Sequence, residues 1–96
     1  MIIGKIVGSA VSSLKLDALK ASKLLVVRPA DAQGNATGDA FLAVDLVGAG
    51  TGELVMVSQG SSARMAAGQN ASPVDAAIIG ILDSLQDQGE VVYRKD

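Results

Sequence analysis

The sequence predicts an all-β domain folded as a closed or partly open barrel. Three observations carry that prediction. Short apolar runs rich in Val, Ile and Leu recur along the chain, of the length and composition of strands. Glycine-rich or polar turns separate most of them, with no clear helix between. The chain has 96 residues, enough for one domain but not two, so a single sheet must curl to bury its apolar side and protect its edges. Residues 1–96 are therefore read as one domain.

The first run, Ile2 to Val11, carries Ile2, Ile3, Ile6, Val7 and Val11, interrupted by Gly4 and Gly8. Glycines inside a strand mark a bend or a close backbone approach, and a small barrel needs both. Ser12 to Lys23 is polar, with Lys15, Lys20 and Lys23 against one acid, Asp17, and reads as a loop with one helical turn. Leu24 to Arg28 is a second strand, stopped by Pro29. Ala30 to Asp39, with Gly34-Asn35 and Gly38-Asp39, is a hairpin loop. Asp31 and Asp39 do not have the spacing of a calcium loop, and its bidentate Glu is missing.

Phe41 to Val47 and Leu54 to Val57 are the next strands, on either side of the densest glycine turn, Gly48-Ala49-Gly50-Thr51-Gly52, closed by Glu53. Alternate glycines permit positive φ or very close contact with another backbone. The turn thus suits a crowded place: a ligand phosphate, a tight hairpin or a symmetry axis. The phosphate option is weak. Gly48-x-Gly50 begins like a dinucleotide loop, but Glu53 stands where the pattern requires Gly. No helix follows it, and Glu53 repels an anion. Asp45 lies in an apolar run, where a carboxylate must find donors or a cation. We expect it to accept backbone N–H bonds or to pair with Arg64, holding the turn.

Ser61 or Ser62 is a good helix N-cap and Gly68 a good stop, which predicts one to two helical turns over Ala63 to Ala67. Ser72 to Gln86 is ambiguous. Val74, Ala77, Ile78, Ile81, Leu82 and Leu85 form a helical stripe after a Ser72-Pro73-x-Asp75 start. Yet Ala76 to Leu82 is uncharged, rich in isoleucine and broken by Gly80, as a strand apolar on both faces would be. Gln86 to Gly89 reads as a turn and Glu90 to Arg94 as a last strand.

Composition excludes several functions. With no histidine and no cysteine, disulfides, Cys/His zinc sites and Ser-His-Asp or Cys-His catalytic units are all impossible. No carboxylate pair has a spacing that singles it out for acid–base work, so we expect no catalytic residue, no metal and no cofactor. A net charge of −2 and only two aromatics, Phe41 and Tyr93, argue against a nucleic-acid-binding barrel. No apolar run approaches the roughly 20 residues of a membrane span. Met1 to Val11 lacks the pattern of a signal peptide, which points to the cytoplasm. Apolar residues make up 49%, more than so small a barrel hides, which predicts burial against further copies of the chain.

Three ordered motifs then carry a resemblance: Asp45-x-Val-Gly-Ala-Gly-x-Gly-Glu53, Gly60-Ser-Ser-Ala-Arg64 and Pro73-Val-Asp75. With these the chain resembles, from Met1 to Asp96, the vertex-protein family of bacterial microcompartment shells, of carboxysome and ethanolamine-utilisation type. The resemblance implies a small five-stranded, OB-like β-barrel with one short α-helix, assembled as a ring of five. It implies a structural, non-enzymatic role at the fivefold corners of a polyhedral shell, beside hexameric shell proteins and without nucleic acid or membrane. It also resolves 74–86 in favour of a strand, with one face in the barrel and the other on a neighbouring subunit. The turn Gly48, Ala49, Gly50, Thr51 and Gly52 is the candidate lining of the ring axis. Asp45, Glu53, Ser61, Ser62, Arg64, Asp75, Ile78 and Ile79 are candidates for holding the motifs or the subunit interface. The alternative is a small OB-like barrel that binds nucleic acid or another ligand.

Overall fold

The computed structural model describes residues 1–10, 23–60, 63, 75–87 and 89–95. Among these residues seven strands form: β1 (Ile2–Ala10), β2 (Leu24–Pro29), β3 (Phe41–Asp45), β4 (Leu54–Gln59), β5 (Ala76–Ile81), β6 (Ser84–Asp87) and β7 (Glu90–Arg94). The first five close into a barrel in the order β1-β2-β3-β5-β4, and β6 and β7 make a separate two-stranded sheet. Within the barrel only β3 and β5 run parallel, Val44 opposite Ala77 and Asp45 opposite Ile78. This is the five-stranded, OB-like arrangement expected.

β1 seals the barrel because it is long enough to pair on both sides. Ile2 to Lys5 face Val57 to Leu54 of β4, while Gly4 to Ala10 face Pro29 to Leu24 of β2. The two glycines of β1 do different things. A Cβ on Gly4 would lie 2.5 Å from Val27 Cγ1 and 3.0 Å from Val57 Cγ2, so Gly4 is where the wall is thinnest. At Gly8 nothing lies within 4 Å, and the register slips between Ile6 and Gly8. That slip is a bulge, which tightens the twist and bends the strand. It leaves Ile6 buried and the adjacent Val7 exposed.

The barrel core is Ile6, Leu25, Val27, Val55, Val57 and Ile78 with the small residues Ala43, Ala49 and Ala76. A second cluster lies outside the barrel wall, where Val44 and Ala77 are covered by Ala63, with Leu24 and Ile79 at its margin. Ala63 is helical and fully buried. The rest of the expected helix, Arg64 to Ala67, lies outside the described residues.

Several sequence expectations are corrected: β2 includes Pro29, which pairs with Gly4, instead of stopping before it, and β4 continues past Val57 to Gln59. The strand from Phe41 ends at Asp45 rather than Val47: Leu46 N–H still donates to Ile78 O of β5, but the Asp45 carboxylate takes the N–H groups of Val47, Gly48 and Ala49 that an extended chain would leave to a partner strand. Gln86 to Gly89 is not all turn: Ser84–Asp87 is a strand that pairs with β7, and the turn is confined to the residues around Gly89, at φ 83°.

The helical stripe at 74–85 fails for β5. Ile78 faces Val57 and Ile81 faces Val55, both inward, with the register shifted between them. The i, i+3 recurrence of these isoleucines is a strand with one bulged residue, Ile79, and not a helix face.

Candidate functional site

The glycine turn is built by two carboxylates. Asp45 Oδ1 accepts the backbone N–H groups of Val47, Gly48 and Ala49 at 3.1, 3.0 and 3.2 Å. The first of the two expected roles of Asp45, accepting backbone donors, is thus realised. Its other expected partner, Arg64, lies outside the described residues, as do Ser61 and Ser62. With Gly48 at φ 76°, the chain turns away from β3 and drops Ala49 into the barrel core. Only a methyl-sized side chain fits that plug without displacing the valines around it.

Glu53 closes the other side. Its Oε1 accepts the N–H of Gly50 at 2.6 Å, and its backbone N–H donates to Gly50 O at 3.1 Å. Gly52, at φ 91°, donates to Ile6 O at 2.8 Å, and Ile6 donates to Glu53 O at 3.0 Å. The turn is therefore stitched to β1 as well as to itself. Gly48, Gly50, Thr51 and Gly52 remain exposed. The result is a rigid, low-profile knuckle of small residues on a closed wall.

Sequence reasoning missed one member of this site. Lys95 Nζ lies 2.9 Å from Glu53 Oε2, and Lys95 N–H donates to Asp83 O at 2.6 Å. The lysine hydrogen bond, followed by that of Gly50, holds the Glu53 carboxyl below its ordinary value. The same bond raises the Lys95 ammonium above its own. The link joins the glycine turn to the base of the β6–β7 hairpin. Tyr93 supports it, since a Cβ on Gly34 would meet the Tyr93 ring at 3.2 Å and Leu54 at 3.1 Å. No local pattern signals a contact between residues 42 positions apart.

The remaining predicted residues fall in different places. Asp75 is exposed at the entry to β5, and its carbonyl accepts the N–H of Gly60 at 2.7 Å. Ile78 is fully buried in the barrel core. Ile79 is half-buried beside the second cluster. The outward face of β5 at Ala77 is covered by Ala63 of the same chain, not left bare for a neighbour. Among the described residues no group of three His, Cys, Asp or Glu side chains could hold a metal ion. No described helix is long and apolar enough to cross a membrane. The two carboxylates of the turn are engaged with its backbone N–H groups, and what the turn presents outward is a surface of small residues.

A family model described as "Ethanolamine utilisation protein EutN/carboxysome" matches residues 1–83. The chain is 43% identical over 95 residues to the bacterial microcompartment shell vertex protein EutN of Salmonella typhimurium, covering 99% of this chain and 96% of that one. Its fold matches the structure of CcmL from Gloeobacter violaceus with a TM-score of 0.90 at 39% identity, over 99% and 98% of the two chains. It also matches GrpN from Rhodospirillum rubrum, a pentameric microcompartment shell protein, with a TM-score of 0.81 at 42% identity, over 91% and 99%.

Proposed function

The chain belongs to the EutN/carboxysome family, and on that premise we propose that it is a structural protein of a bacterial microcompartment shell, forming pentamers that cap the fivefold vertices. The observation that carries this reading is the whole-chain likeness, in sequence and fold, to proteins named as shell vertex proteins, of which GrpN is solved as a pentameric shell protein. The protein acts in the cytoplasm as part of the shell, and its role is architectural rather than catalytic. The relatives give no support to a nucleic-acid-binding barrel.

A closed ring of one chain repeats a single head-to-tail contact around an axis. Five chains of 9.7 kDa weigh 48.5 kDa. Native mass spectrometry of the purified protein tests the ring: a species at that mass is expected, and a persistent 9.7 kDa monomer at micromolar concentration overturns it.

Two finer points extend this reading. The vertex pentamer meets hexameric shell proteins at its rim. The knuckle Gly48 to Gly52 faces the fivefold axis, where five copies crowd together and only small residues fit. Its exposure and its two carboxylate anchors support that placement. Gly50 suits the test, because a Cβ there meets only Glu53 Oε1, at 3.5 Å. The subunit fold therefore tolerates a side chain at 50, and Gly50→Trp impairs the ring while leaving the barrel folded. An unaltered pentamer removes the knuckle from the axis.

A further inference from the structure

The β6–β7 hairpin is a sheet of its own, outside the hydrogen-bonded order of the barrel. A two-stranded sheet is marginal alone, so the contacts at its base decide where it stands. Leu82 N–H, just before β6, donates to Leu54 O of β4 at 2.9 Å. The Tyr93 ring and the Leu54 side chain both lie close over Gly34, where a Cβ would meet them at 3.2 and 3.1 Å. Lys95 N–H closes the base by donating to Asp83 O at 2.6 Å, and its ammonium reaches Glu53.

Glu53 is where this attachment meets the glycine turn. Its backbone is fixed, because its N–H donates to Gly50 O at 3.1 Å and its O accepts Ile6 N–H at 3.0 Å. The two oxygens of its carboxylate hold different partners. Oε1 accepts the Gly50 N–H at 2.6 Å, and Oε2 lies 2.9 Å from Lys95 Nζ. A carboxylate is planar and turns as one body, so an oxygen that follows Lys95 carries the other off Gly50. Two effects of Lys95 on the Gly50 bond oppose each other. The ammonium draws charge from the carboxylate, which weakens the bond. It also fixes a side chain that otherwise loses much rotamer freedom on being held, which favours the bond. The side chains of Lys95 and Glu53 are 38% and 23% exposed, and between groups so open to water the charge effect is small. The ordering effect wins.

We propose that the Glu53 carboxylate is a two-sided latch that couples the C-terminal hairpin to the glycine turn, so that moving Lys95 with the hairpin loosens the turn at Gly50. Coupling of this kind is reciprocal: whatever draws Gly50 away from Oε1 weakens the hold on Lys95. It acts by ordering and disordering a side chain, without a second fold. The device lies within one chain and works wherever the knuckle faces in the ring.

Amide hydrogen exchange of the full chain, followed residue by residue by NMR, tests the coupling. Lys95→Met keeps the stem of the side chain and removes the ammonium. Gly50 is expected to exchange about threefold faster in this variant, the weight of one exposed ion pair. Gly52 is the internal control, because its N–H goes to Ile6 O and not to a carboxylate, and it is expected to keep its wild-type rate. A second measurement needs no variant. High salt weakens the Glu53–Lys95 attraction in the wild type, which is expected to raise the Gly50 rate relative to Gly52. In Lys95→Met, salt is expected to leave that ratio unchanged. A Gly50-to-Gly52 ratio that moves neither with the substitution nor with salt overturns the coupling. That result includes an equal rise at both glycines, which is a general loosening of the turn.

Discussion

Replacing Asp45 by alanine removes one oxygen that organises a whole turn. Three N–H groups lose their acceptor. Those of Val47 and Gly48 are exposed and rehydrate, at about 0.5–1 kcal/mol each. That of Ala49 is partly buried, next to a side chain that is 1% exposed, and losing its charged acceptor costs about 1.5 kcal/mol. Together Asp45→Ala destabilises the subunit by about 3 kcal/mol, roughly 10 °C or more in Tm for a domain of this size. Asp45→Asn keeps an oxygen in the same place and loses only the charge assistance, about 1 kcal/mol. Urea unfolding at one fixed subunit concentration measures both, since assembly makes apparent stability depend on concentration. If Asp45→Ala falls within about 0.5 kcal/mol of wild type, the turn does not depend on this cap. If asparagine is as damaging as alanine, charge pairing with a cation, and not backbone capping, is the role of Asp45.

Two further outcomes follow from the same geometry. Gly4→Ala loses about 1–3 kcal/mol, because the new methyl meets Val27 and Val57 inside a packed core. Gly80→Ala is milder, since the obstacle there is the flexible end of Met56, and equal losses in thermal melts would contradict the packing described. The Glu53–Lys95 latch has a pH window at both ends. The Glu53 value is lowered from 4.5, so its contribution is complete above that pH and is lost as pH falls through the depressed value. The Lys95 value is raised from 10.5, so its contribution is complete below that pH and is lost as pH rises through the elevated value. The Gly50 amide resonance, which reports on Glu53 Oε1, therefore titrates with a midpoint below 4.5, and a midpoint at or above it rules out the latch.

Much of the barrel was legible because its signals are local. β-branched runs and the glycines at 48 and 52 each act within a few residues, and each marks an element or a turn. Asp45 was legible too: a carboxylate in an apolar strand must find donors, and it found them two to four residues on. The illegible parts depend on register and distance. A helical pattern at 74–85 arose because one bulged residue moved two isoleucines onto the same face. β6 was hidden because Ser84 to Asp87 has no strand character of its own and is ordered by pairing with β7. The Glu53–Lys95 bond joins segments that sequence proximity never brings together.

The pairing pattern also fixes an order in time. Barrel closure requires β4, at residues 54–59, to find β1, at residues 2–10, and β5 to insert between β3 and β4. Such long-range pairings form late and slowly compared with local turns. On a ribosome, β1 waits for β4, and the wall stays open until residue 81 has been made. The β6–β7 hairpin follows the barrel strands in the chain and is made after them. Until β5 is in place the edges of β3 and β4 stay unpaired, and that is when association between unfinished chains is most favoured.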